Sequence, residues 1–71
     1  MAAPPIANSI RRLRFEHGEM TQAELARRIG MTRQTVVALE QGKYAPSLGA
    51  AFRIARTFGV GVEDVFQWRG D

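Results

Sequence analysis

The stretch QAELARRIGMTRQTVVALEQ, residues 22–41, carries two short amphipathic helix patterns that meet at a glycine turn. Thr21 and Glu24 have the spacing of a capping box, so the first helix begins directly after Thr21. Gly30 ends that helix, because a left-handed residue beyond a helix end is cheapest as glycine. Thr32 is the N-cap of the second helix, whose outward run of Arg, Gln and Thr is typical of a helix that reads DNA.

The joint between these helices has the residues that a steep crossing needs. Ala26 is small at the crossing, and Gly30 lies in the turn. Apolar residues at helical spacing face inward from both helices, namely Leu25, Ile29, Val36 and Leu39. A plain helical hairpin also has caps and a glycine, but here the small, glycine and apolar positions agree at once. The pattern therefore favours a helix-turn-helix.

The remaining sequence predicts an all-α fold, a compact five-helix domain over residues 8–67 without strands or repeats. The predicted helices cover about residues 9–17, 22–29, 33–41, 48–58 and 62–66. The fourth helix has a clear apolar stripe, made of Leu48, Ala51, Phe52, Ala55 and Phe58. Residues 1–7, broken by two prolines, predict a flexible N-terminal arm, and residues 68–71 predict a C-terminal tail.

Length and composition limit the classes of function. The 71 residues make one small domain, and the absence of cysteine and the single histidine argue against a disulfide framework or a metal site. No apolar run reaches membrane-spanning length, and the first residues do not resemble a secretory signal. No catalytic motif is recognisable, so we expect no enzyme and no cofactor. We also expect no small-molecule ligand and no membrane partner, and a cytoplasmic location.

Positive charge is concentrated in the half of the chain that holds the helix pair. The net charge is +3, with seven basic and four acidic residues in 1–46 and three of each in 47–71. Basic charge on one side of a domain is the electrostatic footprint of phosphate binding. An ordinary solvated surface is an equal alternative from charge alone.

Apolar residues are crowded near the C-terminus, namely Phe58, Val60, Val62, Val65, Phe66 and Trp68. A domain this small can bury only part of this set in its own core. The rest would form a patch for self-association, so the sequence predicts a homodimer interface here. The division between core and interface stays open.

The stretch TQAELARRIGMTRQTVVALEQGK, residues 21–43, resembles the helix-turn-helix of the phage repressor and Cro family, also called the Xre family. The resemblance covers about residues 8–66 and is greatest to the small single-domain bacterial members. It implies a compact five-helix, lambda-repressor-like domain. Such domains bind operator DNA, usually as twofold dimers, and regulate transcription.

The resemblance also implies roles for individual residues. Gln22 matches a family glutamine that contacts a phosphate and braces the recognition helix. Residues 32–35 match the start of the recognition helix, the part inserted in the major groove. Lys43 matches a basic loop residue that approaches the DNA backbone. Arg14 and Glu40 match a pair that forms an internal salt bridge in many members, so they are better read as scaffold.

Arg33 is the main candidate for reading bases, because its guanidinium fork fits O6 and N7 of guanine. Gln34 fits adenine in the same bidentate way, and Thr35 offers a hydroxyl or a methyl group. Ala38 stands where some members place a longer polar residue, so direct readout concentrates at the helix start. Two alternatives stay open: Arg33 contacts only phosphate, or Gln34 is solvated or contacts Gln22.

Phosphate contacts would position the protein on the duplex without reading its sequence. The candidates lie at helix starts, on the second helix and in the loop after the third, namely Gln22, Arg27, Arg28, Thr32, Lys43 and Tyr44. Thr32 is foremost a cap, and Tyr44 either packs over its loop or hydrogen-bonds a phosphate. Arg11 and Arg12 on the first helix are better explained as a solvated helix face.

The predicted function is therefore a sequence-specific regulator of transcription that binds double-stranded DNA. It would bind as a dimer on a near-palindromic operator, with the helix at 33–41 in the major groove. The alternative is an antitoxin-like or adaptor module that uses the same fold to bind protein. The C-terminal apolar residues would then be its binding surface.

Overall fold

The computed structural model describes residues 5–70, which form five helices and two short strands. In chain order these are β1 (Ile6–Asn8), α1 (Ile10–Glu16), α2 (Gln22–Ile29), α3 (Arg33–Glu40), α4 (Leu48–Phe58), α5 (Val62–Val65) and β2 (Phe66–Trp68). α2 packs against both α3 and α4, and α5 packs against α4. All five predicted helices are present, with ends that differ from the predicted ones by a residue at most.

The prediction of a strictly all-α fold is wrong, because β1 and β2 pair as an antiparallel two-stranded sheet. Ile6 lies opposite Trp68, and Asn8 lies opposite Phe66. The sheet replaces the end of the predicted arm over 1–7 and the start of the predicted tail over 68–71. Each strand has three residues, too few to show an alternating pattern, and its partner lies at the other end of the chain. The rest of that arm (1–4) and of that tail (71) lies outside the described residues.

Asn8 joins this sheet to two helices. Its Oδ1 accepts a hydrogen bond at 3.1 Å from the N–H of Ile10, the first residue of α1. Its Nδ2 donates to the Leu39 carbonyl at 2.9 Å, near the end of α3. The side chain therefore fixes the start of α1 to the end of the helix predicted to read DNA.

The core is a single cluster of apolar side chains contributed by all five helices and by the turn before α2. Its members are Ile10, Leu13, Met20, Leu25, Ala26, Ile29, Val36, Leu39, Ile54, Ala55, Phe58 and Val65. No polar or charged residue in 5–70 is buried. Phe58 and Val65 are thus core residues, and their predicted place in a dimer interface is wrong. They close the core because α5 folds back onto α4.

The predicted apolar stripe of α4 is only partly buried. Leu48 is 73% exposed and Phe52 is 52% exposed. The buried face is centred on Ile54 and also contains Ala50, Ala51, Ala55 and Phe58. Phe52 precedes Ile54 by two residues, which is about 200° around a helix, so the two side chains cannot share one face.

Candidate nucleic-acid interface

Two side-chain caps define the helix-turn-helix. Thr21 Oγ1 accepts from the Glu24 N–H at 3.0 Å at the start of α2. Thr32 Oγ1 accepts from the Thr35 N–H at 3.2 Å at the start of α3. Between them, Gly30 has a φ of 72°, the left-handed conformation that lets α2 end and the chain turn. The two caps and the glycine turn set the orientation of α3 relative to α2.

The start of α3 presents its polar side chains to solvent. Arg33 and Gln34 are exposed, and neither side chain forms a hydrogen bond or ion pair within residues 5–70. The Thr35 hydroxyl is shared with the cap, since its Oγ1 lies 3.0 Å from Thr32 Oγ1. Ala38 is half-buried farther along the helix. An uncommitted guanidinium and an uncommitted amide therefore stand side by side at the helix start.

Glu40 is the centre of a hydrogen-bond network that joins three helices. Arg14 on α1 donates to both Glu40 oxygens, at 2.6 Å from Nε and at 3.0 Å from Nη2. Gln22 on α2 donates to Glu40 Oε1 at 3.2 Å. Arg14 also donates to the Met20 carbonyl at 2.8 Å. The network fixes α3 to α1 and α2 and includes the bracing contact that the resemblance implied for Gln22.

The two arginines near the end of α2 are both bound to one carboxylate. Arg27 Nε and Arg28 Nε donate to Glu24 at 3.0 Å and 2.7 Å. The hydrogen bonds from Arg27 and Arg28 lower the pKa of Glu24 from 4.5 to about 2. The same contact raises the pKa of Arg27. Because Glu24 is engaged here, only the Thr21 half of the predicted capping box forms, and part of the arginine charge is offset.

Lys43 and Tyr44 lie in the loop after α3, and both are exposed. The loop is anchored by the Lys43 N–H, which donates to the Ala38 carbonyl at 3.1 Å. Within residues 5–70, neither side chain has a hydrogen bond or ion pair. The structure thus holds the loop backbone to α3 and leaves the two side chains available.

An open cleft of about 560 Å³ lies where α1 meets the starts of α2 and α3. Its lining includes Arg11, Phe15, Glu19, Gln22, Arg33 and Glu40. The sequence patterns favour a solvated helix face for Arg11 and indicate no role for Phe15. A signal was available: Arg12 has an acid four residues later at Glu16, whereas Arg11 has Phe15 at that spacing.

The C-terminal apolar set is divided between core and surface. Val60, Val62 and Phe66 are half-buried and pack against the core. Trp68 is 64% exposed and borders a shallow pocket of about 200 Å³ with Ile6. Within residues 5–70, no helix has the length and apolar character needed to cross a membrane.

Comparison with known proteins identifies the family. The Helix-turn-helix family model matches residues 10–65. The chain is 47% identical over 64 residues to the uncharacterized HTH-type transcriptional regulator MJ0272 of Methanocaldococcus jannaschii, covering 90% of this chain and 96% of that one. An uncharacterized HTH-type transcriptional regulator of Methanothermobacter thermautotrophicus is 57% identical over 58 residues, covering 80% of this chain and 83% of that one.

A solved structure with a similar fold is a hypothetical transcription factor from Neisseria, NHTF, at a TM-score of 0.71 and 31% identity. The match covers 78% of this chain and 61% of that one. A solved protein from Bacteroides fragilis, described as a candidate DNA-binding protein, shares the fold at a TM-score of 0.76 and 22% identity, over 87% of this chain and 98% of that one. With the family model spanning α1 to α5, the chain belongs to the Xre-type helix-turn-helix family of transcriptional regulators.

Proposed function

We propose that this protein is a sequence-specific regulator that binds double-stranded DNA with α3 in the major groove. The observation that carries the proposal is the pair of exposed, uncommitted side chains, Arg33 and Gln34, at the start of α3. The caps at Thr21 and Thr32 and the network around Glu40 hold that helix start in place. A rigid helix with free donors at its first turn fits the major groove.

The base-reading roles follow from donor geometry. Arg33 donates to O6 and N7 of a guanine, and Gln34 pairs with N6 and N7 of an adenine. Thr35 contributes a methyl contact to thymine, because its hydroxyl is shared with Thr32. Ala38 offers only a methyl group, so readout is concentrated in the first turn of α3.

Phosphate contacts come from three places. Gln22 and Thr32 lie at the starts of α2 and α3, where free N–H groups favour an anion. Lys43 and Tyr44 reach the backbone from the loop after α3. Arg27 and Arg28 contribute less, because Glu24 offsets part of their charge.

A homodimer completes the proposal. Its interface uses the members of the C-terminal apolar set that are not fully buried, namely Val60, Val62, Phe66 and Trp68. The support is that Phe58 and Val65 are buried in the core, whereas Val60, Val62 and Phe66 keep part of their surface in solvent. Trp68 is 64% exposed. A twofold dimer would place two recognition helices about 34 Å apart, so the operator would be a near-palindrome with half-sites one helical turn apart. The protein would then act in the cytoplasm, on the nucleoid.

The test is selection of bound sequences from a random duplex pool, followed by a salt titration on the selected site. Enrichment of a palindrome, with an affinity that falls steeply with salt, is the expected result. A pool without enrichment, together with an affinity independent of salt, would rule out operator binding.

A protein-binding role, antitoxin-like or adaptor, is the second candidate, and one observation favours it. Leu48 and Phe52 form an exposed apolar pair on α4 and do not belong to the C-terminal set. Light scattering with and without duplex DNA separates the two candidates. A monomer that stays a monomer and selects no DNA sequence favours the protein-binding role.

A further inference from the structure

We propose that Arg11 on α1 is a DNA-contacting residue and that the cleft beside it receives one phosphate and its sugar. This inference rests on the proposed function and extends it to a helix to which neither the sequence patterns nor the resemblance gave a secure DNA contact. The cleft lies between α1 and the starts of α2 and α3 and has a volume of about 560 Å³. It is therefore continuous with the helix start that carries Arg33.

The charges around the cleft favour an anion. Within residues 5–70, neither Arg11 nor Arg33 forms an ion pair. The Glu40 carboxylate also lines the cleft, but Arg14 binds both of its oxygens. Glu19 is the other carboxylate of the lining. Two uncommitted guanidinium groups thus face one uncommitted carboxylate, and a phosphate would restore the balance of charge.

Backbone donors add to this potential. Thr21, Gln22 and Ala23 line the cleft at the start of α2. The Thr21 hydroxyl satisfies the N–H of Glu24, which leaves the N–H groups of the first two helical residues without a partner in the helix. The positive end of the α2 dipole therefore points to the same space as Arg11.

Phe15 gives the cleft an apolar wall. It follows Arg11 by four residues on α1, so the two side chains lie on one face of that helix. Its ring is 68% exposed, although it borders the cleft. A deoxyribose has an apolar face next to its charged phosphate, and this combination matches a phenyl ring one turn from an arginine.

The neighbouring arginine supplies a matched control. Arg12 pairs with Glu16 at 3.1 Å on the exposed side of α1 and does not line the cleft. Arg11→Ala and Arg12→Ala therefore remove the same charge from adjacent positions of one helix. Both side chains are exposed, so both variants should fold, which circular dichroism would verify.

The experiment measures the affinity of each variant for the selected duplex and for an unrelated duplex across a salt series. We expect Arg11→Ala to weaken both affinities about tenfold, the loss of one charge-assisted contact, without changing base preference. The negative slope of log K against log salt should become shallower by about 0.9, the value for one phosphate. Arg11→Lys keeps the charge and should therefore keep the wild-type slope. Phe15→Ser should weaken binding and leave the slope unchanged.

Three other outcomes would overturn the inference in distinguishable ways. If the wild type selects a site but Arg11→Ala binds like Arg12→Ala, the contact is absent while the proposed function stands. If the wild-type protein shows no salt-dependent binding to any duplex, the proposed function itself fails and the cleft contact fails with it. A change in base preference in Arg11→Ala would show that the residue acts on bases and not on phosphate.

Discussion

Glu40 shows how a single carboxylate can determine the position of a whole helix. It accepts three hydrogen bonds from Arg14 and Gln22, on two other helices. Its side chain is 9% exposed and that of Arg14 is 15% exposed, so little solvent screens the pair. The pair is therefore energetically different from the other ion pairs of the molecule, which lie on the surface.

We predict that Glu40→Ala lowers the free energy of unfolding by about 3 kcal/mol, because it leaves the Arg14 guanidinium without its counter-charge in a largely desolvated place. Urea denaturation followed by circular dichroism would measure the change. The control is Glu16→Ala, which removes an exposed partner of Arg12 and should cost at most about 1 kcal/mol. Equal losses in the two variants would contradict the assigned role of Glu40.

The assignment of Arg33 to base reading gives a prediction about specificity. Arg33→Ala should reduce discrimination at one base-pair position of each half-site by about 1–3 kcal/mol and leave the other positions unchanged. Competition binding against duplexes with single base-pair changes would measure it.

The matched control for Arg33 is Lys43→Ala, which removes an exposed charge from the loop after α3. It should weaken binding to every sequence by the same factor, as loss of a phosphate contact does. If Arg33→Ala behaves in that uniform way instead, Arg33 contacts phosphate alone.

At the scale of the element, α2 gives a prediction about pH. The pKa of Glu24 is lowered from 4.5 to about 2 by hydrogen bonds from Arg27 and Arg28. A lowered pKa stabilises the fold above about pH 4.5, and this contribution is lost as the pH falls towards 2. The effect is small because the three side chains are in contact with solvent.

The melting temperatures of the wild type and Glu24→Gln at pH 7 and near pH 2 measure this contribution. The wild type should melt slightly higher at pH 7, and most of the difference should be lost near pH 2, where about half of Glu24 is protonated in the folded state. A difference in melting temperature that is as large near pH 2 as at pH 7 would mean that the pairing of Glu24 with the two arginines does not cause it.

Most elements could be predicted from local signals. The caps at Thr21, Thr32 and Ser47 are all made by their side chains, because a cap depends on residues only three positions apart. The strands escaped prediction because their pairing joins opposite ends of the chain. The orientation of Phe52 also escaped, since two overlapping apolar stripes on α4 satisfy the same helical spacing and only packing chooses between them.

The candidate site, like the fold, was predictable where it depends on neighbouring residues and not where it depends on packing between helices. The polar start of α3 could be read from the residues that follow the cap at Thr32. The cleft beside Arg11 could not, because three helices build it. The ion pairs of Glu24 with Arg27 and Arg28 were only partly predictable. Their spacing permits them, but the spacing of Thr21 and Glu24 equally permits a hydrogen bond from the Thr21 backbone N–H to Glu24.

At the scale of the whole molecule, the proposed dimer depends on the surface around Trp68. We predict that Trp68→Ala weakens dimerisation at least tenfold, since a large aromatic side chain at an interface commonly contributes about 2 kcal/mol or more. Sedimentation equilibrium over a range of concentrations would measure the dissociation constant.

Phe52→Ala is the control for Trp68, because it removes an exposed aromatic side chain that belongs to α4 and not to the C-terminal set. It should leave the dissociation constant unchanged. If instead Phe52→Ala yields monomers and Trp68→Ala does not, the interface lies on α4 and the assignment of the C-terminal set is wrong.

The sheet also determines where the two ends of the domain emerge. Beyond the paired strands, the Arg69 N–H donates to the Pro5 carbonyl at 2.6 Å, so the chain enters and leaves at one place, beside Trp68. If that place is the dimer seam, a short glycine-rich linker would suffice to fuse two copies in tandem. Dimerisation would then become intramolecular, with an effective concentration set by the linker. Operator binding by such a single-chain dimer would no longer require protein concentrations high enough for two separate copies to meet.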